Sequence, residues 1–141
     1  MDKEALERLD DARLATWDAH RPDAFVDMLA DDFVIRDTSI AAPITTREGA
    51  RDYLRKWIAA FPDMRIRRTS RVVDDESVAG EVEMIGTNTG PIELGPTQVP
   101  PTGKAIVGQG AYFARVKAGK FVELSTHPDL AGIMSQLGLM P

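Results

Sequence analysis

The chain has 141 residues, of which 43% are hydrophobic, and its formal net charge at pH 7 is −5. A chain of this length builds one hydrophobic core, so we predict a single domain over residues 1–141. The negative charge argues against general nucleic-acid binding. The sequence contains no cysteine, which excludes disulfides, thiolate metal ligands and cysteine nucleophiles.

Two features of the sequence bear on location. Its longest apolar runs are too short to cross a bilayer. The first four residues, Met-Asp-Lys-Glu, have neither the basic start nor the apolar run of a signal peptide. We therefore expect a cytoplasmic protein that does not associate with membranes.

The amino-terminal region predicts two helices. The first carries large side chains at helical spacing, at Leu6, Leu9, Arg13 and Trp17. His20 stands at the interruption that follows, and Pro22 suits the first turn of a second helix. The apolar face of that second helix consists of Phe25, Met28 and Leu29. We place its end at Ala30-Asp31.

A strand is predicted to begin at Phe33, because Phe-Val-Ile is aromatic and β-branched. Side chains alternate along a strand, so Phe33, Ile35 and Asp37 share one face. Asp37 therefore follows two apolar residues near a strand end. One interpretation is a turn former or salt-bridge partner. The other is an acid or base at the floor of an apolar pocket, where desolvation would raise its pKa.

A third helix is predicted after a break at Ala41-Ala42-Pro43. Thr45 to Glu48 forms a capping box, with a threonine at the N-cap and a glutamate three residues later. A wide apolar stripe follows at helical spacing, formed by Ala50, Tyr53, Leu54, Trp57, Ile58 and Phe61. Pro62 ends the helix. Trp57 belongs either to the core or to the wall of a cavity.

Two strands are predicted next, over residues 64–73 and 78–89. Their register follows from the apolar face of the second strand, which we pair with the first through Met64, Ile66 and Val72. This register places Arg65, Arg67 and Arg71 opposite Glu81 and Glu83 on the other face, as a ladder of charge pairs. It leaves Arg68, Ser70 and Asn88 on the apolar face, where they need polar partners or water.

The rest of the chain predicts a loop, a hairpin and a short helix. Residues 90–103 form a long loop typical of a lid, rim or interface. Strands over 104–116 and 121–127 are joined at Gly119, a turn residue with positive φ. Gly108, Gly110 and Tyr112 share a face, and the two glycines leave space beside the phenol for a ligand. A helix is predicted over 130–139.

This order of elements predicts an α+β fold. It is a cone-shaped barrel made of a curved, mostly antiparallel sheet, covered on its concave face by three helices. We expect an apolar cavity between the sheet and the third helix. Its predicted wall consists of Phe33, Ile35, Trp57, Met84, Tyr112, Leu124, Thr126 and His127, with Asp37 and Asn88 as polar groups.

Several segments carry a family resemblance that runs through nearly the whole chain. The chain resembles the SnoaL-like polyketide cyclase (ester cyclase) group within the nuclear transport factor 2-like superfamily. The matching segments are Trp17-Asp18-Ala19-His20, residues 29–34, Phe61-Pro62-Asp63, residues 86–90, residues 100–104 and residues 136–139.

The resemblance implies acid/base chemistry of the aldol ring-closure type. In the family, a His or Asp on the fifth strand and an Asp on the sixth carry this chemistry, and Tyr112 and Thr126 stand at those positions here. Leu124 and Asn88 stand where the family often has histidines. Asp37 matches an acidic position on the first strand, which supplies the catalytic base in the related ketosteroid isomerases. Asp129 matches an acid that caps the tail helix.

Three hypotheses follow from these residues. The first is a cofactor-free cyclase or isomerase acting on a small apolar or polyketide-like molecule, with Asp37 as base and Tyr112 and Asn88 polarising an oxygen. The second is a binding protein that uses the same cavity without catalysis. The third is a structural module. Two distant histidines give no metal site, and no glycine-rich phosphate loop precedes a helix.

A homodimer is also expected, through the sheet face opposite the helices. The outward face of the strand over 104–116 carries Ala105, Val107, Ala111 and Phe113, which are too apolar to remain in water. The family resemblance implies the same association.

Overall fold

The computed structural model describes residues 1–140. Its helices are α1 (Lys3–Asp18), α2 (Pro22–Asp27), α3 (Arg47–Ala60) and α4 (Leu130–Gln136). Its strands are β1 (Leu29–Asp37), β2 (Arg65–Val73), β3 (Ser77–Thr87), β4 (Ile92–Leu94), β5 (Thr97–Val99), β6 (Ala105–Lys117) and β7 (Lys120–Pro128).

Five strands form the main sheet, in the order β1-β7-β6-β3-β2. Strand β1 runs parallel to β7, and the other neighbours are antiparallel. Helix α1 packs on β2 and β3, α4 packs on β6, and α2 packs on α3. The predicted α+β fold, with helices over a curved and mostly antiparallel sheet, is confirmed.

Strand β6 shows how the sequence separates the two faces of this sheet. Its even-numbered residues face the helices and are buried or half-buried, whereas its odd-numbered residues are exposed. This alternation is the period-2 pattern of a strand with one covered face. The β6–β7 hairpin turns at Ala118 and Gly119, and both residues have positive φ.

Several predicted boundaries differ from the observed ones. Helix α2 ends at Asp27, and β1 begins at Leu29 instead of Phe33. Thr46, not Thr45, caps α3, because its side chain accepts the backbone N–H of Gly49. The tail helix ends at Gln136, and the side chain of Asp129 caps its amino terminus.

The predicted register between β2 and β3 holds only for the first half of β2. Arg67 lies opposite Glu83, but a bulge at residue 69 shifts the pairing so that Arg71 lies opposite Gly80. A bulge adds one residue to one strand and reverses which side chains face the core. Arg71 therefore faces α1 and not the glutamates, and Val72 is 71% exposed.

The predicted loop over residues 90–103 contains the short β4–β5 hairpin, which pairs Ile92 with Val99. Ile92 is buried, and β4 contacts α3. The hairpin therefore packs against the third helix on the covered side of the sheet.

Candidate active site

A cavity of about 100 Å³ lies between the helices and the concave face of the sheet. Its wall is predominantly apolar. Residues from α1, α3, α4, β1, β2, β3, β6 and β7 contribute, together with Met64 just before β2. The apolar ones include Leu14, Trp17, Trp57, Met84, Leu124 and Ile133. A void of this size is smaller than a drug-sized pocket and close to what a single six-membered ring occupies.

One row of residues crosses all five strands and carries most of the polar groups of the site. The pairing runs from Asp37 to Thr126, then to Tyr112, Gly80 and Arg71. Residues paired in this way face the same side of a sheet. The row therefore has a carboxylate at its β1 end and an arginine at its β2 end, and both lie on the covered face of the sheet.

Asp37 is buried, and it lines the cavity at the end of β1. The backbone N–H and the hydroxyl of Ser39 both donate to its Oδ1, at 2.7 and 2.6 Å. The hydroxyl of Tyr53 donates to its Oδ2 at 2.5 Å. A carboxylate offers about four acceptor sites, and within residues 1–140 no donor uses the second site on Oδ2.

Tyr53 connects Asp37 to Thr126. Its oxygen lies 3.0 Å from Oγ1 of Thr126. Because the single hydroxyl proton of Tyr53 is given to Asp37, the hydroxyl of Thr126 is the donor in this contact. Burial, reinforced by the negative charge of Asp37, raises the pKa of Tyr53. Tyr53 therefore stays protonated and keeps its hydrogen bond to the carboxylate.

A second carboxylate, Asp10, is fully buried on α1. It accepts hydrogen bonds from Nη2 of Arg13 at 3.0 Å and from the hydroxyl of Tyr112 at 2.6 Å. Arg68 and Arg71 approach it from β2, at 3.4 and 3.5 Å. These partners satisfy a charge that would otherwise be very unfavourable in the protein interior.

Tyr112 has its ring over the middle of the sheet and its hydroxyl on Asp10. Burial, together with this hydrogen bond, raises the pKa of Tyr112 to about 12. The guanidinium carbon of Arg13 lies 4.6 Å from the centre of the ring. A Cβ on Gly80 would stand 2.8 Å from the same ring, so glycine is required there for the phenol to lie flat across β3.

The structure brings together six of the residues that the sequence assigns to the site. Asp37, Trp57, Met84, Tyr112, Leu124 and Thr126 all line the cavity. Phe33 and Ile35 share the inward face with Asp37 as expected, but they belong to the packed core and not to the wall.

Asn88 and His127 lie elsewhere, which corrects their expected placement. The side-chain amide of Asn88 donates to the carbonyls of Ala60 and Gly90, and its oxygen accepts from Thr102. The bonds to Ala60 and Thr102 tie the segment after β3 to α3 and to the loop before β6. His127 points to solvent on the outer face of β7.

The sequence patterns do not predict several residues of the site. They place Tyr53 only in the apolar stripe of α3, and Arg13 and Trp17 only in that of α1. They give no role to Asp10. A usable signal existed on α1, because Leu6, Asp10, Arg13 and Trp17 follow helical spacing and a carboxylate on such a stripe is unusual.

Within residues 1–140, no cluster of three or more His, Asp or Glu side chains has a metal-binding arrangement. No helix in the same range combines the length and apolarity of a membrane span.

Comparison with known proteins identifies the family. A family model described as SnoaL-like polyketide cyclase matches residues 7–137. A comparison with curated proteins finds no significant match.

Three solved structures illustrate the structural similarity. AclR, a candidate hydroxylase from Streptomyces galilaeus, superimposes with a TM-score of 0.86 at 18% identity, covering 99% of this chain and 89% of AclR. IdmH, a candidate polyketide cyclase from Streptomyces antibioticus, gives 0.77 at 26% identity, covering 94% and 97%. A protein with a ketosteroid isomerase-like fold from Catenulispora acidiphila gives 0.76 at 20% identity, covering 94% and 93%. The family model matches nearly the whole chain, and this chain belongs to the SnoaL-like polyketide cyclase family.

Proposed function

We propose that the protein binds a small, largely apolar ketone in this cavity and catalyses cofactor-free proton transfer of the cyclase or isomerase type, with Asp37 as the base. The observation that carries the proposal is the setting of Asp37. It lies in the wall of an apolar cavity, three donors fix its orientation, and one acceptor site on Oδ2 remains unused. A positioned carboxylate of this kind suits general base catalysis.

The proposed step begins with transfer of a proton to Asp37 from the carbon next to the ketone carbonyl, which leaves an enolate. In an isomerisation, Asp37 returns the proton to a different carbon. In a ring closure, the enolate carbon attacks a second carbonyl of the same molecule, whose oxygen takes the proton. Tyr53 keeps the carboxylate in place during both transfers, and the apolar wall excludes water.

Ligand binding without catalysis is the second candidate, and a specific observation favours it. Tyr112 and Thr126 stand at the two positions from which the resemblance expects acid/base residues. A threonine hydroxyl has no useful acidity near neutral pH, and Tyr112, with a pKa of about 12, is already bonded to Asp10. The two candidates differ in one respect, which is whether Asp37 moves protons.

The isomerisation of 3-cyclohexen-1-one to the conjugated 2-cyclohexen-1-one tests this difference, because the substrate has one ring and the product absorbs in the ultraviolet. We expect the wild-type chain to accelerate the reaction. Asp37→Asn keeps the shape of the side chain and should lower kcat/KM by about two to four decades, as expected for a lost general base.

Thr126→Val is the matched control on the neighbouring strand. It removes one hydrogen bond to Tyr53 and should lower kcat/KM by less than about tenfold. Equal losses in both variants, with unchanged circular dichroism, would contradict the role of Asp37. Binding of the ketone by a chain that never isomerises it would favour the second candidate.

A further inference from the structure

Two buried donors, carried by residues that line the cavity, have no hydrogen-bond partner among residues 1–140. They are Nε of Arg13 and Nε1 of Trp17. Both side chains are more than nine-tenths buried, and both residues line the cavity. Buried donors are nearly always paired, because an unpaired one keeps the full desolvation penalty. Two unpaired donors on residues of the same cavity wall therefore indicate that a ligand with an acceptor atom enters the cavity.

The two donors lie on the same side of α1. Arg13 and Trp17 are four residues apart, a spacing that places side chains one above the other on a helix. Trp17 also packs edge to face against Tyr53, with 5.5 Å between ring centres. Tyr53 in turn holds Asp37. Arg13, Trp17, Tyr53 and Asp37 therefore all line one small apolar cavity.

The charges around α1 indicate that the partner is neutral. Three arginines, Arg13, Arg68 and Arg71, contact three acids, Glu7, Asp10 and Asp11. The cluster therefore has no surplus positive charge with which to compensate a buried anion. A carbonyl oxygen fits better, since it is neutral and has two acceptor sites, one for each donor.

We propose that Arg13 and Trp17 form an oxygen subsite, in which both N–H groups donate to the carbonyl oxygen of a neutral, single-ring ketone. The inference deepens the proposed function and rests on it, since it requires that the cavity takes a ligand. In the proposed reaction the same donors face the oxygen on which negative charge develops. Hydrogen bonds aimed at such an oxygen strengthen as its charge grows.

The test compares two probes of the same shape, cyclohexanone and methylenecyclohexane. Only cyclohexanone has an oxygen at the end of its exocyclic double bond. Each is titrated into ¹⁵N-labelled protein, and the side-chain N–H resonances are followed. We expect cyclohexanone to move the Trp17 indole and Arg13 Nε protons downfield, as a new hydrogen bond does. Methylenecyclohexane serves as the control, because it brings a ring of the same shape without an acceptor oxygen.

The variant Trp17→Phe removes one donor and keeps an aromatic ring against Tyr53. It should weaken cyclohexanone binding by about three- to tenfold, the contribution of one hydrogen bond, and leave methylenecyclohexane binding within about twofold. If the variant fails to fold, the wild-type indole shift alone decides.

Three results would overturn the subsite. One is an equal loss of affinity for both probes. Another is a Trp17 indole proton already hydrogen-bonded in the free protein and unmoved by the ketone, which would identify water as its partner. In both of these cases Asp37-dependent isomerisation can persist, and the proposed function then survives. The third is failure of both probes to bind up to their solubility limit, which would also remove the proposed function.

Discussion

The two tyrosines of the chain share an unusual environment, because each donates its hydroxyl to a buried carboxylate. Burial and the adjacent carboxylate raise the pKa of both, that of Tyr112 to about 12. An unfolded tyrosine has a pKa of about 10, so the unfolded chain loses these hydroxyl protons at a lower pH than the folded chain does. The associated stability is fully present below about pH 10 and decreases as the pH rises toward the folded pKa.

A spectroscopic titration tests this at the scale of single residues. We expect the native chain to show almost no tyrosinate absorbance at a pH of about 11, where the same chain in guanidinium chloride is mostly ionised. Tyr112→Phe isolates Tyr53, whose tyrosinate absorbance should also appear only above the pH at which the unfolded chain ionises. A titration midpoint at a pH of about 10 for either tyrosine of the native chain would contradict the hydrogen bonds to the carboxylates.

At the scale of elements, the contact of α1 with β2 contains two adjacent acids in opposite environments. Asp10 is fully buried and holds Arg13, whereas the side chain of Asp11 is 53% exposed and contacts Arg68 and Arg71. Asp10→Ala leaves a buried arginine without its partner and should lower the free energy of unfolding by about 3–5 kcal/mol. Asp11→Ala should lower it by at most about 1 kcal/mol, because exposed ion pairs contribute little.

Chemical denaturation of the two variants measures this difference on one helix. The m-value should stay unchanged in Asp11→Ala, so that the midpoint alone reports stability. Similar midpoints for both variants would show that the Asp10 cluster does not stabilise the packing of α1 on the sheet.

At the scale of the whole molecule, no helix or strand of residues 1–140 covers the outer face of the sheet. Ile85 and Val107 pair across β3 and β6 and are each 45% exposed, and Phe113 is exposed on the same face. We propose that a second copy of the chain covers this face. The ion pairs Arg67–Glu83 and Arg115–Glu123 flank the apolar residues and give the face both signs of charge, which suits self-association.

Light scattering at micromolar concentration checks this proposal. We expect twice the chain mass of 15.5 kDa for the wild type. Val107→Glu should give a folded monomer, because burying an unpaired charge in the interface is strongly unfavourable. Ile40→Glu places the same charge on an exposed residue of the turn after β1, outside the sheet, and should leave the mass unchanged. A wild-type mass equal to one chain would end the proposal.

Much of the fold was predictable from local patterns. The alternation of Phe33, Ile35 and Asp37 on β1, the apolar stripe of α3 and the positive φ at Gly119 depend on neighbours in sequence, and the structure shows all three. The predicted register of β2 is wrong in its second half, because nothing in the local sequence marks the bulge at Thr69. The period-2 pattern simply continues through it, so that Arg71 was assigned to the wrong face.

The polar site depended on contacts between residues far apart in the chain. The sequence by itself determined that a carboxylate ends the inward face of β1 and that two glycines and a tyrosine share a face of β6. Only the tertiary structure decided that Tyr53 of α3 donates to that carboxylate and that Thr126 of β7 donates to Tyr53. The Tyr112–Asp10 bond joins positions 102 residues apart. Such bonds are selected by how helices pack on a sheet, and secondary-structure periodicity carries no information about that packing.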